Sequence, residues 1–325
     1  MPTTISQLGA KGRQALILAC GFLLLISAAG GLSFHADSVN VFALYWLPVA
    51  IIVLAATIWI DRRRRRGSRT VRWAPALLLI GFVGLGSVLL EPLVGAARPA
   101  ATGRSFRLVS FNMNKANPDP ERVADWLLAQ RADFVVLLEV SPANRIRIRD
   151  RLRARFPHAY DCARSGRCST YILSRLPAED DWPLAQGDAD NRRALSALTA
   201  RFRIGGALVP ITAVHLDRPW PWGGQHRELA ALDAAVAAVG REGIVAGDFN
   251  SAPWTFSTRR IAAAGGVALV SGATATWPTT APLRLPLDQV YAGPCLAASA
   301  VTRGPALGSD HFPLIVDFNA EACRG

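Results

Sequence analysis

Three uncharged and largely apolar runs occupy the first ninety residues of the chain. They extend over residues 14–34, 38–60 and 73–90 and contain 21, 23 and 18 residues. A helix that crosses a membrane needs about 20 mostly apolar residues, with a lower limit near 17. The run lengths therefore predict a membrane anchor over residues 1–98, with three transmembrane helices at about 14–34, 41–60 and 73–92.

The charges that flank these runs predict the orientation of the anchor. The segment 61–69, between the second and third runs, contains six arginines, whereas the segment 34–40 contains no lysine or arginine. Basic loops of this length stay on the cytoplasmic side of a membrane. We therefore expect a multi-pass protein of the cell inner membrane, with the chain after about Arg98 periplasmic or extracellular and the lipid bilayer as a partner. No protein partner is inferred.

The first run has a second interpretation. Lys11 and Arg13 precede it, and the small residues Ser27–Gly30 near its end fit a signal-peptide cleavage site. Cleavage there would leave the predicted orientation unchanged, because the orientation depends on the arginine-rich loop that follows the second run.

The pattern changes after a short linker at residues 99–103. Short apolar runs that fit strands alternate with segments that fit helices, and Asp133–Val140 is typical of a strand buried on both faces. The predicted strands are Phe106–Phe111, Asp133–Val140, Ser169–Leu173, Ala194–Phe202, Leu208–Val214, Gly243–Ala246, Leu287–Tyr291 and Phe312–Phe318, and the predicted helices are Asp119–Gln130, Asn144–Phe156 and Gly224–Val239. Many strands with few helices predict a layered α/β sandwich over residues 104–319, followed by a C-terminal tail at 320–325.

Composition supports this division of the chain. The hydrophobic fraction of 51% and the mean hydropathy of +0.23 reflect the apolar runs. Residues 1–103 carry 10 basic and 3 acidic groups of the totals of 36 and 24, which leaves 26 basic and 21 acidic groups for the remainder. Much of the net charge of +12 is therefore a topology signal, and the second part is only mildly suited to an anionic substrate.

The cysteines give a separate indication of compartment. Cys20 lies in the first apolar run, whereas the other four lie in the part that we place outside, at Cys162, Cys168, Cys295 and Cys323. An even number of cysteines in an oxidising compartment allows disulfides, and all three pairings of the four remain open. Four unrelated buried thiols are the alternative. The spacing lacks the CxxC pairs of a zinc site.

Polar side chains stand at or near the ends of several predicted strands, where active sites are usually built. In chain order they are Asn112, Asn114, Glu139, His215, Asp248, Asn250, Asp288, Asp310 and His311.

Several of these residues form motifs that resemble the endonuclease/exonuclease/phosphatase superfamily, which has the deoxyribonuclease-I-like fold. The motifs are Ser110-Phe111-Asn112, the strand that ends in Glu139, Gly247-Asp248-Phe249-Asn250 and Ser309-Asp310-His311. They occur in the family's order and cover residues 104–319. The resemblance implies a four-layer α/β sandwich, with two packed β-sheets flanked by helices, in what would be a bacterial membrane-anchored member.

The resemblance also implies a hydrolase that acts on ester bonds, a phosphodiesterase or phosphatase in which a metal ion activates water. Magnesium takes oxygen ligands and uses one or two carboxylates. Glu139 is the expected principal ligand, with Asn112 and Asp310 assisting, and Mn²⁺ is a possible substitute for Mg²⁺. Some family members place an acid at the position of Asn114, and an amide there weakens the case for a metal ligand. Asn114 is instead a candidate substrate-binding residue.

The remaining roles follow from the same resemblance. Asp248 would orient or deprotonate the attacking water. His311 would contact or protonate the phosphate, and Asp288 would hold the other ring nitrogen of that histidine. Asn250 and His215 would contact the phosphate and assist catalysis.

The substrate stays open, because one fold serves many chemistries. A phospholipid, a nucleic acid and a small organophosphate are all compatible with the motifs. A nuclease acting on DNA or RNA is the alternative enzyme, and a non-catalytic binding module that retains the fold is the alternative of another class. The tryptophan-rich segment 219–224 fits a membrane contact, a substrate groove or a packed loop.

Overall fold

A computed structural model of the chain describes residues 3–64, 72–94, 104–162, 169–183, 195–219, 224–239 and 242–320. The linker 99–103, the segment 220–223, Cys168 and Cys323 lie outside these ranges. The chain divides into one unit of residues 1–91 with 254–256 and a second unit of residues 92–253 with 257–325.

The N-terminal region is helical in its described residues except at Leu32 and Ser33. Its elements are α1 (Thr3–Ala28), a 3-10 turn (Ala29–Gly31), α2 (Phe34–Asp37), a second 3-10 turn (Ser38–Phe42), α3 (Ala43–Arg64) and α4 (Ala74–Val94).

Two segments of this region, rather than the expected three, are long and apolar enough to cross a membrane. They are Lys11–Gly31 and Phe34–Arg63, whereas the third apolar segment covers only Ala74–Leu90. At ~1.5 Å per residue the third segment is about 26 Å long, which is less than the ~30 Å hydrocarbon core. The expectation of a third transmembrane helix at 73–92 is therefore wrong by length and composition, because Glu91 ends the apolar stretch. A signal sequence or buried helices would pass the same test for the other two.

The second unit contains two six-stranded sheets within the described residues. The first has the strand order β11-β12-β1-β2-β4-β3 and the second has the order β5-β6-β7-β8-β10-β9. The strands are β1 (Arg104–Asn112), β2 (Phe134–Leu138), β3 (His158–Asp161), β4 (Tyr171–Ser174), β5 (Ala178–Pro183), β6 (Ser196–Ile204), β7 (Ala207–His215), β8 (Ile244–Asp248), β9 (Ala268–Leu269), β10 (Asp288–Ala292), β11 (Leu296–Arg303) and β12 (Leu314–Ala320).

Four helices flank these sheets: α5 (Pro120–Ala129), α6 (Pro142–Leu152), α7 (Gln225–Val239) and α8 (Phe256–Gly265). One apolar cluster joins the inner faces of the two sheets and includes Phe134, Phe202 and Phe318. Two further clusters pack α5 and α6 on the first sheet and α7 and α8 on the second. The expected α/β sandwich of two packed sheets flanked by helices is confirmed.

Each sheet contains one parallel pair of strands at its centre. In the first sheet β1 runs parallel to β2, and in the second sheet β7 runs parallel to β8. All five residues of β2 are buried, as expected for a strand covered on both faces. The C-terminal ends of the four strands carry the polar residues that the sequence singled out.

Candidate active site

The parallel strand pairs bring the predicted site residues to the ends of adjacent strands. Asn112 ends β1, and Glu139 directly follows β2, whose last residue Leu138 is the register partner of Asn112. In the second sheet His215 and Asp248 end β7 and β8 and are partners in register.

Two antiparallel strands add the remaining acids and the second histidine. Asp288 begins β10 directly opposite Asp248. The segment Asp310–His311 lies shortly before β12, whose first residue Leu314 pairs with Ser110 near the end of β1. Residues from six strand ends therefore converge, although they are spread over 200 positions of the sequence.

Asp248 is the centre of the cluster and is 1% exposed. Its Oδ2 accepts a 3.0 Å hydrogen bond from Asn112 Nδ2 and lies 3.6 Å from His311 Nε2 and 4.0 Å from His215 Nε2. Its Oδ1 accepts the backbone N–H of Asn250 at 2.8 Å. Burial raises the pKa of Asp248 and the charge of Asp288 adds to this, while His311, His215 and the Asn250 N–H oppose the rise.

His311 is held by a buried hydrogen bond to Asp288. The Nδ1 atom of the ring lies 2.7 Å from Asp288 Oδ2, so Nε2 is directed toward Asp248. Burial alone would lower the pKa of His311, but the charges of Asp288 and Asp248 outweigh it and raise this pKa to about 10. The ring is therefore an imidazolium at neutral pH, and it can donate a proton from Nε2.

Asn112 connects the central acid to Glu139. Its Nδ2 donates to Asp248 Oδ2 and also to Glu139 Oε1, at 3.2 Å. Its side-chain oxygen Oδ1 accepts the backbone N–H of Asn114 at 3.1 Å. His215 Nε2 lies 3.4 Å from the same Glu139 oxygen. The side chain of Glu139 is 26% exposed, which leaves it accessible from solvent.

Asp310 is linked to this group through Asn114. Asn114 Nδ2 donates to Asp310 Oδ1 at 2.8 Å, and Trp277 Nε1 donates to Asp310 Oδ2 at 3.1 Å. Burial would raise the pKa of Asp310, but the hydrogen bond from Asn114, the charge of His311 and the hydrogen bond from Trp277 produce a net lowering. The carboxylate is therefore ionised at neutral pH.

Three site residues adopt a backbone conformation that side chains other than glycine rarely adopt. The φ angles are +62° at Asn114, +54° at Glu139 and +48° at Asn250. Asparagine tolerates this region, whereas glutamate has no such preference. Strained backbone of this kind clusters at functional sites, where the surrounding structure maintains it.

Two groups of side chains offer ligand atoms to a divalent cation. Asp248, Asp288 and His311 have ligand atoms within 4.8 Å of one another, and Asp288 Oδ1 is buried without a hydrogen-bond partner among the described residues. All three side chains are buried, and the two ring nitrogens of His311 already face Asp288 and Asp248.

The second group contains Glu139 and Asn112, and Asn114 links Asn112 to Asp310. The amide nitrogen of Asn112 donates to the carboxylates of Glu139 and Asp248, which marks a position that favours positive charge. A catalytic metal keeps an open position for water, and the exposed edge of Glu139 provides one. The carboxylates fit a hard cation such as Mg²⁺. For Asn112 to contribute its own oxygen, its amide would have to turn over.

The structure thus brings all nine predicted residues to one site, directly or through a neighbour. The sequence motifs select neither Trp277 nor Gln225. Trp277 donates to Asp310 and its ring centroid lies 6.5 Å from that of His311. No sequence signal marks either residue, because each is defined by its contacts in the fold.

The chain belongs to the Endonuclease/Exonuclease/phosphatase family, because the model of that family matches residues 109–311. Members of this family are generally hydrolases that act on phosphodiester bonds, and they generally use a divalent metal ion. No curated protein sequence matches the chain.

The chain is also similar to solved structures. An endonuclease/exonuclease/phosphatase from Bacteroides vulgatus is 18% identical, with a TM-score of 0.57 over 67% of this chain and 99% of that chain. One from Beutenbergia cavernae is 21% identical, with a TM-score of 0.53 over 67% and 72%. D. rerio TDP2 complexed with single strand DNA product is 18% identical, with a TM-score of 0.53 over 66% and 99%. At these sequence identities the structural similarity shows a shared fold alone.

Proposed function

We propose that the protein is a membrane-anchored, divalent-metal-dependent phosphoesterase that acts outside the cytoplasm. The observation that carries the catalytic part is the placement of Asp248 between Asn112, His215 and His311, with the His311 ring fixed by Asp288. A buried carboxylate and an imidazolium, brought together at the ends of neighbouring strands, supply the base and the acid that ester hydrolysis requires.

In the proposed reaction Asp248 orients the attacking water and accepts its proton. The raised pKa of Asp248 makes it a stronger base than an exposed aspartate. His311 presents Nε2 to the phosphate, where its positive charge stabilises the charge that develops on the phosphate oxygens. As the bond from the water oxygen to phosphorus forms, the bond from phosphorus to the ester oxygen breaks, and this leaving oxygen takes the Nε2 proton of His311. One N–H of the Asn250 amide donates to Leu216 O at 2.7 Å, and the second is the group that we assign to a phosphate oxygen. His215 and Asn114 line the same phosphate position.

We propose that Glu139 holds the divalent cation, with Asn112 and Asp310 as further ligands and Mg²⁺ as the preferred ion over Mn²⁺. A bound divalent cation neutralises phosphate charge and lowers the pKa of its water. The strained backbone of Glu139 supports this role as a metal ligand, because it directs the carboxylate to a position beside Asn112 and His215.

The membrane anchor is supported by the surface of the N-terminal helices. Large apolar side chains are exposed in the absence of lipid, including Phe22 at 65%, Ile52 at 66% and Val83 at 67%. Soluble proteins rarely expose contiguous apolar surface of this extent. The N-terminal segment 1–98, with two helices that qualify as spans, is therefore our proposed anchor, and residues 104–319 are the proposed catalytic domain.

An exported catalytic domain is supported by its cysteines. Cys162 and Cys295 are disulfide-bonded, and structural disulfides persist in oxidising compartments. The pairing stays open, since Cys168 and Cys323 lie outside the described residues. The disulfides therefore support a periplasmic or extracellular active site. The arginine-rich loop gives no support for this placement, because with two spans the loop and the catalytic domain lie on the same side of the membrane.

The arginine-rich helix α6 offers limited support for a nuclease. Its Arg145, Arg147 and Arg151 form ion pairs with Asp161, Glu121 and Asp125, so their charges are locally balanced. Nonspecific nucleic-acid binding depends on unpaired basic side chains that reach phosphates. We therefore favour a lipid-linked or small phosphate ester as the substrate and keep DNA and RNA as arms of the test.

The test is a hydrolysis panel on the full chain in detergent or nanodiscs, with Mg²⁺ and with a chelator. The panel contains sphingomyelin, phosphatidylinositol, plasmid DNA, RNA and bis(4-nitrophenyl) phosphate. We expect turnover of at least one ester that the chelator abolishes and Mg²⁺ restores. No turnover of any compound would favour the non-catalytic binding module. Turnover that persists in the presence of the chelator would exclude a metal-dependent reaction.

A further inference from the structure

The first turn of α7 is hydrogen-bonded to both loops that carry the proposed catalytic residues of the second sheet. One loop, residues 215–219, begins with His215, and the other, residues 248–251, begins with Asp248. The bonds come from Gln225 and Glu228, whose side chains are 0% and 5% exposed. Neither residue belongs to the proposed catalytic or metal-binding set.

Gln225 makes one hydrogen bond to the first loop and two to the second. Its Nε2 donates to Asp217 O at 2.9 Å and to Phe249 O at 2.8 Å. Its Oε1 accepts from Ser251 Oγ at 3.1 Å. Both amide protons and the amide oxygen are therefore used, and a single planar group sets the distance between two loop backbones.

Neighbouring contacts hold the first loop against the same turn. Glu228 Oε2 accepts the backbone N–H of Asp217 at 2.7 Å. A Cβ atom on Gly224 would lie 1.8 Å from Asp217 Oδ2, so the close approach requires glycine. Asn250 Nδ2 donates to Leu216 O and adds a direct link between the loops. These loops can therefore be displaced relative to each other only by breaking several buried hydrogen bonds.

We propose that Gln225 is a positioning residue that fixes His215 relative to Asp248 and Asn250. This inference rests on the proposed function. Asp217 lies two residues after His215 and Phe249 one residue after Asp248, so a shift of either carbonyl moves a reacting group. His215 Nε2 and Asp248 Oδ2 are 4.0 Å apart. A misplacement of about 1 Å at such a site can reduce the rate about 100-fold.

A purely structural role makes a different prediction. Buried carbonyl groups that lose their donors destabilise the fold, whatever the function of the loops. In that case a Gln225 variant would melt earlier but would keep its turnover number. A positioning role instead lowers kcat more than the loss of stability explains, and it loosens the two loops specifically.

The experiment compares Gln225→Met with Leu232→Ala in the full chain. Methionine keeps the size of the side chain but removes the three hydrogen bonds. Leu232 lies on the same helix, is 0% exposed and packs in the apolar cluster beneath it, so its truncation destabilises α7 without touching either loop by a hydrogen bond. Kinetics with bis(4-nitrophenyl) phosphate and backbone amide hydrogen exchange are measured for both variants and the wild type.

We expect Gln225→Met to lower kcat by about 100-fold with a smaller change in KM. Amide exchange should accelerate at residues 215–217 and 249–251. Leu232→Ala should lower the Tm while kcat stays at the wild-type value. If Gln225→Met keeps the wild-type kcat and the wild-type exchange at both loops, the inference is overturned while the proposed function stands.

Two further results separate the possible failures. If the wild type turns over no ester, the proposed function fails, and the exchange data alone decide whether Gln225 holds the two loops. If Gln225→Met does not fold, Ser251→Ala is the milder variant, because it removes only the hydrogen bond to Gln225 Oε1. A reduced kcat and faster exchange at residues 248–251 support the inference, and unchanged values of both contradict it.

Discussion

Replacing Asp288 by asparagine tests whether buried carboxylates keep His311 positively charged. Asp288 Oδ2 lies 2.7 Å from His311 Nδ1, and both side chains are buried. The pKa of His311 is about 10, because the charges of Asp288 and Asp248 and the hydrogen bond from Asp288 outweigh the lowering caused by burial. Asparagine keeps a hydrogen-bond acceptor at this position but removes one of the two charges.

The size of the effect follows from the pKa. A rise from the usual value of 6.5 to about 10 favours the imidazolium by about 5 kcal/mol, at ~1.4 kcal/mol for each pKa unit. Since this folded-state pKa lies above the unfolded value, the associated stability is fully present below about pH 6.5 and is lost as the pH rises through about 10. In Asp288→Asn the side chain at this position is neutral, so only the remaining charges oppose the lowering of the His311 pKa by burial. The pKa of His311 should then fall to about 7 or below.

The assay is the pH profile of kcat/KM on the responsive ester, together with an NMR titration of the His311 ring. In the wild type we expect the basic limb of the profile near pH 10. In Asp288→Asn this limb should move to near neutral pH, and kcat at pH 8 should fall by about tenfold or more, because only about a tenth of His311 stays protonated when its pKa is about 7. Asp125→Asn, at an exposed ion pair with Arg151, is the control. An unchanged basic limb and an unchanged rate in Asp288→Asn would refute this reasoning.

Three other changes give independent predictions. Glu139→Gln removes the charge of the proposed metal ligand, so the Mg²⁺ concentration for half-maximal activity should rise at least about tenfold, and an unaltered Mg²⁺ titration would exclude Glu139 as the ligand. Burial, with a smaller contribution from the charge of Asp217, raises the pKa of Glu228 to about 7 despite the opposing hydrogen bond from the Asp217 N–H. Because this folded-state pKa is raised, the stability of the fold falls as the pH rises through about 7. Glu228→Gln should therefore stabilise the protein by about 3 kcal/mol at pH 8 and very little near pH 4. Thermal unfolding at the two pH values tests this prediction. Alkylation of the unfolded, unreduced chain should leave Cys162 and Cys295 unmodified by mass spectrometry, and full labelling of both would contradict an oxidised domain.

The central strands of the fold could be predicted from the sequence because their residues are apolar on both faces. The predicted strand Asp133–Val140 contains the observed β2, and the predicted helix Gly224–Val239 differs from α7 by one residue. The short strand β3 was missed, because its residues His158–Asp161 are only partly buried and show no apolar alternation. Such a strand is specified by its pairing with β4, which the local sequence does not encode.

The site residues could be predicted because they lie at or near the ends of recognisable strands. The contacts among them could not. Asp288 meets Asp248 through the antiparallel register of β10 and β8, and Trp277 reaches Asp310 from a loop 33 positions earlier in the chain. The positive φ of Glu139 was also unforeseen, since the sequence pattern treats this residue as the continuation of a strand. These features arise from tertiary packing that overrides local preference.

The central claim is that the protein hydrolyses a phosphate ester in a metal-dependent reaction in which Asp248 orients the attacking water and accepts its proton. Its most direct test is the Mg²⁺-dependent rate of the full chain before and after Asp248→Asn, with Asp125→Asn as the matched control at an exposed position. We predict that the wild type and Asp125→Asn respond equally to Mg²⁺ and chelator, while Asp248→Asn is at least about 100-fold slower at every Mg²⁺ concentration. An Asp248→Asn protein with the wild-type rate would contradict the proposed mechanism.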